Sequence, residues 1–128
     1  MRKLGRIVIC MLLFAAVFAG IGSSTEAAAN LQWQTEAVYY DDSGRIIIEG
    51  YFYNNGSVTV TWVNWFSAKV YFRNADSSWW LAAGANFYDF NLLLFPGESK
   101  RWTFRIYNVN YYHFDQWRVN WNVNYNTQ

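Results

Sequence analysis

Short segments in which apolar and polar residues alternate are what most constrain the fold of this chain. Between residues 100 and 107, for example, Trp102, Phe104 and Ile106 point to one side of an extended strand and polar residues to the other. A period of two is typical of strands that bury one face. From residue 30 onward, no stretch of about 11 residues repeats its apolar positions with the period of a helix. The sequence therefore predicts an all-β fold.

Turn-forming clusters divide the chain into seven to eight predicted strands. The clusters at 41–44 and 96–99 favour turns, and the Asn-Asn-Gly-Ser segment at 54–57 predicts a hairpin, because Asn-Gly readily takes the positive φ angles of a tight turn. The predicted strands are 31–40, 45–53, 58–65, 66–73, 79–87, 91–95, 100–107 and 117–125. Many short strands of this kind favour an antiparallel β-sandwich over a small closed barrel.

Two positions depart from simple alternation. The phase shifts near Asn64, and neither Gly nor Pro separates 58–65 from 66–73. These two segments are therefore either two strands or one long strand with a bulge. Gly50 lies on the same face as Ile48 and is predicted to make room for a large ring.

The first 29 residues have the three parts of a signal peptide. Three basic residues precede an apolar run at 7–21, and residues 27–29 are alanines that form a small-residue cleavage site. We expect cleavage after Ala29, which leaves residues 30–128 as a single domain. The apolar run is shorter than the roughly 18 residues that span a bilayer, so no stable membrane span is expected after cleavage. A leader retained as an anchor is the alternative.

The predicted mature chain contains no cysteine, because Cys10 lies in the leader, where we interpret it as apolar filler. Many small exported domains depend on disulfides, and this one must be held by packing alone. Aromatic residues make up 22% of the chain, and each large ring buries roughly 150–250 Å². We therefore expect a core of packed rings in a protein that is secreted or held at the bacterial cell surface.

Charge and residue inventory exclude several classes of function. The net charge is +1 and no basic stripe is present, so no nucleic-acid partner is expected. A nucleophilic triad needs a histidine beside a nucleophile and a carboxylate. The single histidine, His113, has no cysteine or Gly-x-Ser-x-Gly motif to accompany it and is interpreted as a partly buried loop residue. Zinc sites commonly take three or four nitrogen or sulfur ligands, so no metal and no cofactor is expected.

The acidic residues are interpreted as loop residues rather than catalysts. Paired carboxylates hydrolyse glycosides in many enzymes, and the candidates here are Asp76, Asp89, Glu98 and Asp115. Each lies in or beside a predicted loop, where a carboxylate is normally solvated. The aspartates at 41–42 lack the spacing of a calcium loop and are interpreted as turn caps. The chain is predicted not to be an enzyme.

Three segments together resemble the exported immunoglobulin-like modules of Gram-positive bacteria. They are the strand and Gly-x-x-x-Asn turn at 46–55, the aromatic strand at 68–72, and the Leu-Phe-Pro-Gly-Glu turn with its Trp-Thr-Phe strand at 94–104. The pattern is similar to the S-layer-associated type called SLAP and to the related FxLYD type, and it covers about residues 45–106. The segment from Asn108 onward departs from it. The resemblance implies a non-catalytic immunoglobulin-like domain of the cell envelope.

Outward-facing tyrosines form the first candidate binding surface. If Ile48 faces the core, Tyr51 and Tyr53 lie on the opposite face, and by the same argument Tyr71 and Tyr107 lie outside on their strands. Tyrosine rings combine an apolar face with a polar edge, which suits both sugar rings and protein surfaces. The alternative is that these residues are present only because tyrosine forms strands well.

The C-terminal strand provides a second candidate. Between residues 117 and 125, large apolar side chains alternate with polar ones, which include Asn120, Asn122 and Asn124. Asparagine is depleted in strands, so this row of amides is unusual. Three interpretations remain open: a neutral solvated face, a row of amides that bind polysaccharide hydroxyls, or an edge strand that pairs with a second copy of the chain.

Together these features predict a secreted, non-enzymatic immunoglobulin-like module at the bacterial cell envelope, which contacts cell-wall polysaccharide or another surface protein. A structural protein that forms homo-oligomers through its edge strand is the alternative. A carbohydrate-active enzyme is a third and less favoured hypothesis.

Overall fold

The computed structural model describes residues 30–128, and the predicted signal peptide at 1–29 lies outside the described residues. Residues 30–128 form six strands and no helix, so this part of the chain has no helix that could cross a membrane. The strands are β1 (Leu31–Tyr40), β2 (Ile46–Asn54), β3 (Val60–Arg73), β4 (Trp80–Leu94), β5 (Ser99–Ile106) and β6 (Gln116–Thr127). The predicted all-β class is confirmed.

The strands form two antiparallel three-stranded sheets. One has the order β1–β2–β5 and is called here the β2 sheet; the other has the order β4–β3–β6 and is called the β3 sheet. Rings from the inner faces of the two sheets contact one another, so the sheets pack face to face. Each sheet therefore has one buried face and one outer face.

The structure has fewer strands than the seven to eight predicted, because two pairs of predicted strands are each continuous. Segments 58–65 and 66–73 form the single strand β3, and 79–87 and 91–95 form the single strand β4. The bulge predicted near Asn64 is confirmed, because the pairing of β3 with β6 shifts at this position.

A matching irregularity explains why β4 continues past its predicted end. Asp89 lies opposite Asn64 in the pairing of β3 with β4, and its φ of 52° is in the left-handed region. The two residues lie between two regular cross-strand pairs, Val63–Phe90 and Trp65–Tyr88. Because both strands carry an extra residue at the same level, the pairing of β3 with β4 is kept and neither strand ends.

The hairpin predicted at 54–57 is wrong, because this segment carries the chain from the β2 sheet to the β3 sheet. The buried side chain of Asn54 holds the crossing. Its amide nitrogen donates to the carbonyl oxygens of Val58 (2.8 Å) and Leu94 (3.0 Å), and its Oδ1 accepts from the backbone N–H of Gly56 (2.9 Å). One amide that satisfies three backbone groups thus stabilises a crossing, where sequence alone favoured a tight turn.

Aromatic rings fill the space between the sheets. Phe66 of the β3 sheet stacks on Phe104 of the β2 sheet, with ring centroids 4.5 Å apart and planes 2° from parallel. The rings of Trp33 and Phe52 also contact Phe66, with ring centroids 5.4 and 5.5 Å from that of Phe66. The indole N–H of Trp33, buried among these rings, donates to Thr35 Oγ1 at 2.6 Å. This cluster confirms the expectation of an aromatic core.

The connection between β5 and β6 packs against one end of this core. Phe114 is buried and stacks on Phe72 at 3.9 Å. The hydroxyl of Tyr40 donates to the carbonyl oxygen of Asn110 (2.8 Å) and accepts from the backbone N–H of Tyr112 (3.0 Å). One residue of β1 therefore anchors the backbone of the connection at two points.

Gly50 makes the close approach to a ring that its position in the sequence predicts. A Cβ atom at Gly50 would lie 2.0 Å from the backbone oxygen of Gln34 and 2.8 Å from the Trp33 ring. Neither distance can be relieved by turning a flexible side chain, because one neighbour is backbone and the other is buried. Gly84 differs, because a Cβ there would meet its nearest atoms at 3.6 Å or more.

We expect Gly50→Ala to lower the free energy of unfolding by about 3 kcal/mol or more, because the added methyl group forces β1 away from β2. The matched variant Gly84→Ala is expected to stay within about 0.5 kcal/mol of the wild type. Urea denaturation followed by tryptophan fluorescence measures both values. Equal stabilities for the two variants would contradict the close packing of Trp33 on Gly50.

Candidate functional site

The outer face of the β3 sheet carries polar amides beside two aromatic rings, and we call it the amide face. Its central rows are formed by cross-strand neighbours on β4, β3 and β6, which are Tyr88–Trp65–Asn124, Asn86–Ser67–Asn122 and Gly84–Lys69–Asn120. The structure thus places the three predicted asparagines, all exposed, beside residues of two other strands.

The paired irregularities at Asn64 and Asp89 explain why Trp65 and Tyr88 face outward. On one side of this level, Val63 is buried and Phe90 packs against the core. An extra residue in a strand reverses the direction of the side chains that follow it. Because β3 and β4 each carry one at this level, Trp65 and Tyr88 both face outward.

An open groove of about 340 Å³ lies on the amide face, lined by Trp65, Ser67, Asn86, Tyr88 and Asn122. Ser67 is the smallest of these side chains and lies on the central strand, next to the large ring of Trp65. Tyr88 is 63% exposed, so its ring is open to solvent. No lining residue carries a formal charge, and all but Trp65 can both donate and accept hydrogen bonds.

Hydrogen bonds orient the amides around this groove. Asn64 donates through Nδ2 to the side-chain oxygens of Asn124 (2.7 Å) and Asn126 (2.9 Å). The Nδ2 groups of those two residues are therefore the ones that can donate outward. Asn122 accepts through Oδ1 from the backbone N–H of Val123 at 3.0 Å.

One end of the amide face is closed by contacts between cations and rings. The guanidinium group of Arg118 lies 5.0 Å from the ring centroid of Tyr71 and 4.8 Å from that of Trp79. Arg73 lies 4.8 Å from the same Trp79 ring. Tyr71, one of the four predicted binding tyrosines, therefore already packs against a guanidinium group.

The other predicted tyrosines lie elsewhere. Tyr51 and Tyr53 contact each other on the outer face of the β2 sheet, with ring centroids 5.9 Å apart. Tyr107 follows the end of β5, is 59% exposed and lies 5.4 Å from the guanidinium of Arg45. The structure places the four tyrosines in three separate locations, and it brings only Tyr51 and Tyr53 together.

Charged and ionisable groups interact with one another on the outer face of the β2 sheet. Arg101 pairs with Glu36 at 2.6 Å, and Tyr39 donates to a carboxylate oxygen of Glu49 at 2.6 Å. This hydrogen bond is the main cause that raises the pKa of Tyr39. Burial raises the pKa of Tyr53 to about 12, and the nearby Tyr51 adds to the effect.

Asp89 lies within β4 rather than in or beside a loop as expected, whereas the other candidate catalytic residues lie in turns and loops. His113 is exposed rather than partly buried as expected, and its Nε2 lies 3.2 Å from Asp115. Asp115 also accepts from the backbone N–H of Ala75 (3.1 Å), and Glu98 accepts from that of Phe95 (2.8 Å). In the described chain from residue 30 to 128, no three His, Cys, Asp or Glu side chains form a group that could hold a metal ion.

Asp41 caps its turn as the sequence predicts. Its Oδ1 accepts from the backbone N–H groups of Ser43 and Arg45, each at 3.0 Å. Its Oδ2 pairs with the Arg45 guanidinium at 2.6 Å, and these contacts hold the pKa of the Asp41 carboxyl below its usual range.

The sequence predicts the amide row but does not identify four other residues of this face, which are Trp65, Ser67, Asn86 and Tyr88. The phase shift near Asn64 was the one signal that could have placed Trp65 on the outer face. Nothing comparable marked Asp89, because an aspartate after a strand more often indicates a turn. The outward direction of Tyr88 therefore depended on a pairing that only the folded sheet shows.

No protein-family model matches the chain, and no curated protein matches it. Several solved structures overlap with part of it, among them those of two β-glucosidases. β-Glucosidase 3B from Thermotoga neapolitana is 18% identical over 61% of this chain, with a TM-score of 0.34, and β-glucosidase from Listeria innocua is 16% identical over 63%, with a TM-score of 0.33. The chain spans about a tenth of the length of these proteins, 10% and 11% respectively. Overlaps this loose show neither a shared family nor a shared activity.

The raised pKa of Tyr53 predicts a loss of stability in alkali. An unfolded chain releases the tyrosine proton near pH 10, whereas folded Tyr53 keeps it up to about pH 12. Between these values the unfolded state binds fewer protons, so the free energy of unfolding falls as the pH rises. Urea denaturation at several pH values between 10 and 12 should show a shallower fall for Tyr53→Phe. The pKa values of Tyr39 and Tyr40 are also raised. These two residues titrate in the wild type and in Tyr53→Phe alike, so the difference between the two slopes reports on Tyr53. Identical slopes would contradict the burial of the Tyr53 hydroxyl.

Proposed function

We propose that this protein is a secreted, non-enzymatic, immunoglobulin-like binding module of the bacterial cell envelope, which contacts cell-wall polysaccharide or another surface protein through its amide face. The observation that carries the proposal is the groove in which two outward aromatic rings lie beside uncharged hydrogen-bonding side chains. Tyr and Trp are enriched at surfaces that bind other molecules, and uncharged amides can both donate and accept hydrogen bonds.

The strand order supports the immunoglobulin-like part of the proposal. β1–β2 and β3–β4 are antiparallel neighbours, β5 returns to the first sheet and β6 to the second. Strands of immunoglobulin domains alternate between two facing sheets in a similar way. Export rests on the leader-like sequence at 1–29, and the envelope location rests on the resemblance of residues 45–106 to SLAP and FxLYD modules.

Self-assembly through β6 is the second candidate function. β6 is an edge of the β3 sheet, and edge strands offer backbone groups to other chains. The side chain of Asn122 already accepts from the backbone N–H of Val123, which occupies one donor of this strand. A binding role for the amide face is therefore favoured over edge pairing.

The binding role predicts that purified protein is retained on insoluble bacterial cell-wall material. We expect the double variant Trp65→Ala/Tyr88→Ala to reduce the retained fraction at least about tenfold, because hot-spot aromatic residues each contribute about 2 kcal/mol or more. The matched double variant Tyr51→Ala/Tyr53→Ala removes two rings from the other outer face and is expected to bind like the wild type. Thermal melts confirm that each variant folds. Loss of binding only in the Tyr51→Ala/Tyr53→Ala variant would contradict a site on the amide face and would place it on the outer face of the β2 sheet.

The assembly alternative is tested by sedimentation velocity over a wide range of protein concentration. We expect a monomer at every concentration, because the Asn122 side chain accepts from a backbone N–H of the strand that would have to pair. Assemblies that grow with concentration and disappear in Asn122→Lys would instead support edge pairing, because a lysine on an edge strand opposes it.

A further inference from the structure

We propose that the groove of the amide face binds an uncharged polysaccharide, with a pyranose ring stacked on Trp65 and Tyr88 and its hydroxyl groups bonded to Asn86, Asn122 and Ser67. This inference rests on the proposed function and names the class of ligand. The proposed ligand is a neutral glycan, not an acidic wall polymer or a protein. Retention on cell-wall material alone does not separate these three classes of ligand.

The shape of the groove fits a sugar chain. Trp65 and Tyr88 are direct cross-strand neighbours, so their backbones lie about 4.8 Å apart. Both side chains line the groove. The next row, Asn86–Ser67–Asn122, lies about 7 Å further along the strands. Because the side chain of Ser67 is small, the surface is lowest at the centre of that row. The amides of Asn86 and Asn122 flank it on both sides. The groove is open, so a longer chain can extend from either end.

The charges on this face favour a neutral ligand. The five lining residues are all uncharged, so the groove offers no cation to an acidic polymer and no carboxylate to a basic one. Arg73 and Arg118, at one end of the face, pack against the rings of Tyr71 and Trp79. Lys69 is the one cation in the row beside the groove. An acidic polysaccharide would be expected to meet a cluster of free basic side chains, as polyanion-binding surfaces do.

The hydrogen-bonding groups match sugar hydroxyls. A hydroxyl both donates and accepts, and so do the side chains of asparagine and serine. Asn64 donates to the Oδ1 of Asn124, the cross-strand neighbour of Trp65, and leaves the Asn124 nitrogen as the outward donor. Because Trp65 and the exposed Tyr88 provide two rings rather than a continuous apolar strip, the surface suits a ligand with alternating apolar and polar faces better than a hydrophobic peptide.

The experiment titrates the purified protein with cellohexaose, laminarihexaose and chitohexaose as neutral probes and with polygalacturonate as the acidic probe, followed by tryptophan fluorescence and calorimetry. We expect at least one neutral probe to bind, with an affinity that changes little between about 0.1 M and 1 M salt, over which the Debye length falls from about 10 to 3 Å. Polygalacturonate is expected not to bind at either salt concentration.

Variants assign the contacts. Trp65→Ala and Tyr88→Ala should each weaken binding of the neutral probe at least about tenfold. Asn86→Ala and Asn122→Ala should each weaken it about two- to tenfold, because each removes one hydrogen-bonding side chain. Lys69→Ala is the matched control beside the groove and should bind the neutral probe like the wild type.

Several results would overturn the inference. Binding of polygalacturonate that is lost in high salt and in Lys69→Ala would identify an acidic ligand. Retention on cell-wall material without binding of any neutral probe would identify another wall component. Both results would leave the proposed binding module intact. Absence of retention on wall material and on isolated surface proteins would instead refute the proposed function itself.

Discussion

Contact between aromatic rings of the two sheets is the interaction on which the rest of the structure depends. Phe66 and Phe104 stack across the interface, and Trp33 and Phe52 pack around them. Cys10 is the only cysteine, so residues 30–128 have no disulfide and depend on burial of apolar area. Each fully buried side chain of this size contributes about 1.5–3 kcal/mol. The inward direction of these rings also decides which residues remain on the outer faces.

The two outer faces differ in chemistry because the strands between them differ. On the β2 sheet, charged groups are satisfied by one another, as in the pair of Glu36 and Arg101. On the β3 sheet, the amides and the rings of Trp65 and Tyr88 surround a groove without charge. A neutral, exposed and hydrogen-bonding surface has little use in folding, because its polar groups are equally well hydrated in the unfolded chain. We propose that its composition reflects contact with a partner.

The groove lies on strands rather than loops, which has consequences for binding. Its side chains project from a paired sheet, and Asn64 orients Asn124 before any ligand arrives. We therefore expect the proposed binding to require little ordering of the protein, which lowers one of the usual costs of association. Ligand hydroxyls must still replace water on the amides, so net gains per hydrogen bond are modest. We therefore expect stacking on the rings to set affinity and the amides to set specificity.

The sequence by itself determined which segments are extended, because alternation with a period of two is a local property; β1 has the bounds that its pattern predicts. It also determined the amide row and the need for Gly50. Pairing with neighbouring strands decided that two pairs of predicted strands are each continuous. Only the tertiary structure decided that the 54–57 segment crosses between sheets, since Asn-Gly favours a turn whichever strands it joins. The outward direction of Trp65 and Tyr88 was likewise decided by pairing, because the extra residue at Asp89 acts only when it lies opposite Asn64. Local patterns specify which residues share one face of a strand. Which of these faces pack against each other depends on contacts between residues that are distant in the chain.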